Sequence, residues 1–172
     1  MAEELVDLVD GNDNVVGAAS VRACLEGGLL HRAVAVLVIR SNGRFILQQR
    51  SKKDLWQPGL WTLSSTGHVK VGETYESAAI RELHEELGVR GALTKLNKYL
   101  LPPISNDGLT EREWVTLFTG ISDSPLSVDP VELEVAEEVD LARAREMIDE
   151  GLITPDAVFL LEEYFRLRTS RS

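Results

Sequence analysis

Runs of apolar residues in the first part of the chain predict β-strands that form two hairpins. Residues 33–39 are a continuous apolar run rich in valine, which is typical of a strand buried on both faces. A Ser-Asn-Gly turn leads from this run into residues 45–47, so these two strands are predicted to form a hairpin. Residues 5–9 and 15–16 flank a polar turn and predict another hairpin at the N-terminus.

The pattern changes to a helical period at residue 74. Apolar residues recur at spacings of three, four and seven, which predicts a helix over residues 74–87 with a single apolar stripe. The members of the predicted stripe are Ala79, Ile80, Leu83 and Leu87. Gly88 follows as a natural end for this helix.

The remaining segments predict further strands and two helices near the end of the chain. Residues 92–101 and 114–121 are strand-like, and residues 141–148 and 156–167 are helical. Thr154-Pro155 provides a natural start for the last helix. Strands on both sides of a central helix, with helices at the end, predict an α/β fold in which helices sandwich a mixed β-sheet.

Length and composition describe an ordinary globular domain. The chain has 172 residues, 44% of them hydrophobic and 27% charged, so we expect one domain over residues 1–172. No apolar run approaches the roughly 20 residues of a membrane-spanning helix, and no secretory signal is expected. The single cysteine, Cys24, excludes an internal disulfide and indicates a reducing compartment, the cytoplasm.

The formal charge of −10 argues against a protein that binds nucleic acid without sequence preference, because such proteins need a basic surface. It is compatible with an anionic small molecule, since a divalent metal held by clustered carboxylates reverses the local sign.

The central helix carries an acidic face that bears on chemistry. At 3.6 residues per turn, Glu82, Glu85 and Glu86 share one face, and Arg81 lies one turn from Glu85. Three carboxylates on one face repel each other at neutral pH. A hard divalent cation with oxygen ligands would relieve that repulsion, whereas the alternative interpretation is a merely solvated acidic face.

The residues that precede this helix favour the interpretation that the acidic face binds a metal. Gly67 and Gly72-Glu73 allow the backbone to approach a metal or phosphate closely. Together with the helix they match the Nudix pattern G-x5-E-x7-R-E-U-x-E-E-x-G-U at every fixed position, U being a bulky apolar residue. The matching residues are Gly67, Glu73, Arg81, Glu82, Leu83, Glu85, Glu86, Gly88 and Val89. Residues 67–89 therefore resemble a complete Nudix box.

This resemblance implies a Nudix α/β/α sandwich and a site for Mg²⁺ or Mn²⁺. By likeness to Nudix enzymes, Glu82, Glu85 and Glu86 are the metal ligands, with the Gly67 carbonyl as a further one. Arg81 belongs to the catalytic motif, and Glu73 is expected to pair with it and hold the loop. The implied activity is a pyrophosphohydrolase that acts on a small-molecule diphosphate, and a homodimer is a candidate assembly.

Ahead of the box and at its start lie residues 30–34, 49–51, 53–54, 56, 58–61 and 64–68. This run resembles the Nudix subgroup of isopentenyl-diphosphate isomerase and its hydrolase relatives. Those isomerases hold a metal with histidines and two glutamates. The counterparts here are His31, His68, Glu111 and Glu113, with Cys24 near the place of a further histidine. Whether these four form a second metal site is left open by the sequence.

Two departures favour a hydrolase over an isomerase. The isomerases carry a catalytic cysteine directly before the glycine of the Gly-His pair, where this chain has Thr66, and a threonine hydroxyl is a far weaker acid. They also carry a tryptophan in the last helix where this chain has Asp156. A third interpretation, a nucleotide-binding Nudix module without catalysis, is disfavoured because every carboxylate of the box is present.

Overall fold

The chain folds around a mixed β-sheet, seen in a computed structural model that describes residues 3–170. The strands are β1 (Leu5–Val9), β2 (Val15–Ser20), β3 (His31–Ile39), β4 (Phe45–Arg50), β5 (Trp61–Thr62), β6 (Ser65–His68), β7 (Thr94–Leu100), β8 (Ile104–Asn106), β9 (Leu109–Glu111), β10 (Glu113–Ile121) and β11 (Leu133–Val139). The helices are α1 (Val21–Gly27), α2 (Tyr75–Leu87), α3 (Leu141–Asp149) and α4 (Pro155–Thr169).

Strand β3 lies at the centre of the sheet and organises the pairing. The main order is β11-β4-β3-β1-β2, and β6 also pairs with β3. Strand β10 runs parallel to β3, whereas β10 pairs antiparallel with β7, so the sheet is mixed as predicted. Strands β1 and β2 form the predicted N-terminal hairpin, and β8 and β9 make a separate two-stranded sheet.

The two faces of β3 are covered by different helices. Ala33, Ala35 and Leu37 pack in one core cluster with residues of α3 and α4. The alternate residues of the strand, Val34, Val36 and Val38, pack in a second cluster with the apolar residues of α2. Because successive side chains of a strand point to opposite faces, this arrangement makes an α/β/α sandwich. The prediction that this strand is buried on both faces is confirmed.

The predicted apolar stripe of α2 is wrong at one position. Ala79, Leu83 and Leu87 are buried, but Ile80 is 52% exposed. Successive residues of a helix are about 100° apart, and the buried face is centred on Ala79, Glu82 and Glu86, so Ile80 lies at the edge of this face. Its place on the buried face is taken by two glutamates, Glu82 and Glu86.

The other differences concern short or polar elements. Helix α1, strand β11 and the short strands β5, β6, β8 and β9 have no counterpart among the predicted elements. The predicted bounds of the remaining elements are correct to within a few residues. Thr154 holds the N-cap position of α4 without a side-chain capping hydrogen bond, and Pro155 begins the helix as predicted. Gly88 ends α2 in a left-handed conformation.

The N-terminal hairpin supports the loop that precedes α2. The Val71 amide donates to the Leu5 carbonyl at 3.1 Å, and the Gly72 amide donates to an Asp7 carboxylate oxygen at 3.3 Å. Between its two strands, the turn residue Asp13 accepts hydrogen bonds from three elements. The donors are Arg32 Nε at 2.6 Å, Lys98 Nζ at 2.6 Å and the Tyr75 hydroxyl at 3.0 Å. The hairpin is thereby fixed to β3, to β7 and to the first residue of α2.

The substitution Asp13→Asn is expected to lower the free energy of unfolding by about 1–3 kcal/mol, because it weakens charge-assisted hydrogen bonds to a largely buried acceptor. Asn tolerates the left-handed backbone of this turn, where φ is 64°. Urea unfolding at neutral pH measures the change. Asp107→Asn is the matched control, since Asp107 also has a positive φ, 49°, and is exposed.

The stabilisation by Asp13 is expected to disappear in acid. Burial alone would raise the pKa of Asp13, but hydrogen bonds from Lys98, Arg32 and Tyr75 outweigh burial and leave the pKa below its ordinary value of 3.8. A carboxyl with a lowered pKa stabilises the fold fully above its ordinary pKa and loses this effect as the pH falls through the folded-state pKa. A difference between wild type and Asp13→Asn that persisted unchanged at the lowest pH would contradict this account.

Candidate active site

A cavity of about 270 Å³ opens where β3, β6, α2 and the start of α4 meet. The predicted site residues that line it are Gly67, His68, Glu82, Glu85, Glu86, Glu111 and Glu113. Of the other three, His31 contacts Glu113 and Arg81 contacts Glu82, whereas Glu73 bonds Arg81. The fold thus brings all ten predicted positions to one place.

Glu82 and Glu86 enter the cavity from the buried face of α2. They are only 9% and 6% exposed, so both carboxyls are largely removed from water. Burial raises the pKa of Glu82 to about 7 and raises that of Glu86 well above its ordinary value. Glu85 also lines the cavity, but its side chain is 53% exposed, which places it at the rim. The acidic face is therefore not a merely solvated one.

Gly67 leaves room for the Glu82 carboxyl group. A Cβ atom at position 67 would overlap the Cδ, Cγ and Oε1 atoms of Glu82. Gly67 lies in β6 and its φ is not positive, so the backbone would accept another residue there. The requirement for glycine comes from the close approach of the carboxylate, not from backbone conformation.

Arg81 joins the loop before α2 to the glutamates of the helix. It donates to both carboxylate oxygens of Glu73, at 2.9 and 2.8 Å, and to the His68 carbonyl at 2.9 Å. It also donates to Glu82 at 2.5 Å and to Glu85 at 3.3 Å. Hydrogen bonds from Arg81 lower the pKa of Glu73 and keep it ionised. Glu73 is thus placed against Arg81, as the resemblance implied.

Gln48 is a site residue that the sequence analysis did not identify. Its Nε2 donates to Glu86 Oε2 at 2.9 Å, and the Thr66 amide donates to the same oxygen at 3.3 Å. Gln48 is 1% exposed and follows the buried apolar residues of β4. The sequence did contain a signal for Gln48, because it is a polar residue that directly follows the apolar run of residues 45–47.

A second group of ligand-type atoms surrounds Glu113. Its Oε1 lies 3.3 Å from His31 Nε2 and 3.6 Å from His68 Nε2, and one ligand atom from each of the three residues lies within 4.8 Å of the others. The register of the parallel strands, which aligns Glu113 with His31, produces this grouping. Glu111 lines the same cavity but does not belong to the group of three.

The hydrogen bonding of His31 shows what this group requires. His31 Nδ1 donates to the Leu29 carbonyl at 2.9 Å, so in a neutral ring Nε2 would be an acceptor facing the Glu113 carboxylate. Two acceptors repel unless a proton or a cation lies between them. Burial opposes protonation, but contacts with Cys24 and Glu113 outweigh burial and raise the pKa of His31. The group is chemically suited either to a buried ion pair or to a divalent metal.

The lining of the cavity is strongly acidic, so an anionic ligand could bind there only together with cations. The acidic residues that line it are Glu4, Asp54, Glu82, Glu85, Glu86, Glu111, Glu113, Glu132 and Asp156. Against these, Arg50 is the sole lysine or arginine among its described lining residues. Hard carboxylate oxygens, exposed at the rim on Glu85 and buried on Glu82 and Glu86, suit Mg²⁺ or Mn²⁺. The residues present therefore fit a divalent metal.

Comparison with known proteins places the chain in a family. Residues 29–165 match the NUDIX domain family. The chain is 34% identical to Isopentenyl-diphosphate Delta-isomerase 2 of Photorhabdus laumondii, over 86% of this chain and 83% of that protein. It is 32% identical to an uncharacterised Nudix hydrolase of Pseudomonas aeruginosa, over 94% of this chain and 93% of that protein.

A solved structure agrees with the sequence relatives. A crystal structure of a Deinococcus radiodurans protein superposes with a TM-score of 0.75 at 25% identity, covering 93% of this chain and 98% of that one. The chain belongs to the Nudix family. Members of this family are generally hydrolases that use divalent metals, although several relatives of this chain are named as isomerases. Within residues 3–170, no helix has both the length and the apolar character needed to cross a membrane.

The substitution Gly67→Ala is expected to weaken Mg²⁺ binding about tenfold or more, because the added methyl displaces a carboxylate that Arg81 holds in place. Titration calorimetry with Mg²⁺ measures the affinity, and circular dichroism checks the fold. Gly91→Ala is the matched control, since nothing lies within 4 Å of a Cβ at that position. Equal affinities in the two variants would remove Gly67 from the metal site.

Proposed function

We propose that this protein is a Mg²⁺-dependent Nudix hydrolase, with Mn²⁺ as an alternative metal, that cleaves the diphosphate linkage of a small molecule such as a nucleoside diphosphate derivative. The observation that carries this proposal is that Gly67, Glu82 and Glu86 line one cavity and that Arg81 donates a hydrogen bond to Glu82. The proposed unit is a single domain over residues 1–172, with the box at residues 67–89, acting in the reducing cytoplasm.

The metal would be held by the box. Glu82, Glu85 and Glu86 offer carboxylate oxygens, and Gly67 offers its carbonyl. When bound, a divalent metal neutralises charge on the diphosphate and lowers the pKa of a water molecule for in-line attack. The strongly acidic lining supports this requirement, since a bare diphosphate would be repelled from the cavity.

The residues of the chain supply position, charge balance and a proton acceptor. Arg81 offsets part of the negative charge of Glu82 and Glu85 and fixes both to the loop through Glu73. Gln48 and the Thr66 amide orient one oxygen of Glu86, which leaves its other oxygen available. A cavity carboxylate that is not engaged by the metal accepts the proton of the attacking water.

Glu86→Gln and Glu85→Gln are each expected to lower Mg²⁺-dependent kcat about 100-fold or more, since metal stabilisation of the transition state amounts to several kcal/mol. Release of phosphate or of a nucleoside monophosphate is measured over a panel of nucleoside diphosphates, nucleotide sugars and prenyl diphosphates. Glu76→Gln is the matched control, because Glu76 is exposed on the first turn of the same helix.

Two results would contradict the hydrolase. Turnover that is retained in both glutamate variants would refute the assignment of the metal ligands. Tight, metal-independent binding of a nucleotide without turnover would instead identify a non-catalytic Nudix module.

An isomerase is the second candidate, and two observations favour it. The relatives named isopentenyl-diphosphate isomerase cover most of the chain. His31, His68 and Glu113, three of the four counterparts of the isomerase ligands, form a group of ligand-type atoms. Thr66 weighs against it, since it lines the cavity where those isomerases carry the cysteine that takes part in proton transfer.

With isopentenyl diphosphate and Mg²⁺, the wild-type protein is expected to form no dimethylallyl diphosphate, because the Thr66 hydroxyl is too weak an acid to protonate a double bond. Proton NMR of the reaction mixture distinguishes the two prenyl diphosphates from their hydrolysis products. Accumulation of dimethylallyl diphosphate without phosphate release would make the isomerase the correct function.

A further inference from the structure

The three glutamates of the box share one feature, since each has a carboxylate oxygen that accepts a hydrogen bond from another side chain. Arg81 donates to Glu82 Oε1 at 2.5 Å and to Glu85 Oε2 at 3.3 Å. Glu86 Oε2 accepts instead from Gln48 Nε2 at 2.9 Å. One oxygen of each carboxylate is thereby engaged, and the other oxygen is the one that is left to bind a cation.

The contact of Gln48 with Glu86 is fixed by burial and by the chemistry of the amide group. Gln48 is 1% exposed, so its side chain has no access to solvent. A rotated amide would place Gln48 Oε1 against a carboxylate oxygen, and two acceptors repel each other. The Thr66 amide donates to the same oxygen of Glu86 at 3.3 Å, and the Ser65 hydroxyl lies beside the same carboxyl group.

The oxygen of the Gln48 amide gains nothing from its burial. Gln48 Oε1 is buried and accepts no hydrogen bond from any residue within the described range 3–170. A buried polar atom without a partner lowers the free energy of unfolding. An apolar residue of similar size, such as methionine, would avoid this cost after the apolar residues of β4. A glutamine at this position therefore indicates a role that depends on its contact with Glu86.

Divalent cations differ in what they require from a carboxylate. Mg²⁺ is small and demands a nearly ideal octahedral shell, which a carboxylate that binds through both oxygens would distort. Ca²⁺ is larger, takes about six to eight oxygen ligands and accepts both oxygens of one carboxylate. A carboxylate with one oxygen held by a protein donor therefore suits Mg²⁺ better than Ca²⁺.

We propose that Gln48 determines the metal preference of this site, because it holds Glu86 Oε2, leaves one oxygen for the metal and so favours Mg²⁺ over Ca²⁺. Gln48 is a positioning residue in this role, since it acts through Glu86 and not on the metal itself. The inference rests on the proposed function, in which Glu86 is a metal ligand, and extends it to a residue outside the motif.

Displacement of bound Mn²⁺ tests this role without any turnover. The electron paramagnetic resonance signal of free Mn²⁺ reports its release from the protein, so titration with Mg²⁺ or Ca²⁺ gives the dissociation constant of each ion. Only Mn²⁺ whose binding is lost in Glu86→Gln is assigned to the box. The quantity compared is the Ca²⁺ constant divided by the Mg²⁺ constant, which is expected to exceed one in the wild-type protein. Damage that weakens both ions alike leaves this ratio unchanged.

Gln48→Met, which keeps the size of the side chain but cannot donate, is expected to lower the ratio about tenfold, because Glu86 is then free to bind Ca²⁺ through both oxygens. Gln48→Leu serves if circular dichroism shows that the methionine variant does not fold. Gln49→Met is the matched control and should retain the wild-type ratio. Gln49 is the next residue of the same strand, but it donates to the Gly59 carbonyl at 2.9 Å and not to Glu86.

Three results would overturn the role of Gln48. One is tighter binding of Ca²⁺ than of Mg²⁺ by the wild-type protein, and another is an unchanged ratio in both Gln48 variants. The third is an equal fall of the ratio in Gln49→Met. Absence of bound Mn²⁺ in the wild-type protein would contradict the metal site, and with it both the proposed function and this inference. Selective binding of Mg²⁺ without hydrolysis of any diphosphate would count against the proposed function alone.

Discussion

The interaction on which the site depends is the set of hydrogen bonds that Arg81 makes to the carboxylates of Glu73, Glu82 and Glu85. Glu82 and Glu86 occupy positions on α2 that the helical period would otherwise give to apolar residues. Burial of two like charges is tolerable only when cations and hydrogen bonds compensate it. Arg81 supplies a fixed positive charge from behind the wall, and Gln48 with the Thr66 amide supplies hydrogen bonds. The negative charge of these carboxylates that remains uncompensated faces the cavity and favours the binding of a divalent metal.

The central strand determines where the two halves of the site meet. Alternate residues of β3 face α2 and the α3–α4 pair, and residues 33–35, near the start of this strand, line the cavity together with residues of α2 and α4. The box reaches the cavity from one side and the start of α4 from the other. Parallel pairing with β10 then adds Glu113 beside His31. Residues from different layers of the fold thus line one cavity.

The sequence predicted the parts of this arrangement that depend on local periodicity. The buried strand β3, helix α2 with its caps, and the close spacing of Glu82, Glu85 and Glu86 follow from periods of 2 and 3.6. Ile80 was misplaced because hydrophobicity alone cannot show that glutamates fill the buried stripe. The contact of Gln48 with Glu86 and the approach of His31 to Glu113 depend on strand register between distant segments, which no local pattern encodes. Strands β5 and β6 were too short and too polar to be recognised.

The N-terminal hairpin changes how the boundaries of this domain should be drawn. The family match begins at residue 29, so both strands of the hairpin lie outside it. Yet Leu5 and Asp7 bond the loop before α2, and Asp13 bonds the residue with which that helix begins. A chain trimmed to the family match would keep every residue of the Nudix motif and lose the scaffold that holds its loop. The contacts that hold the motif therefore extend beyond the family match in this protein.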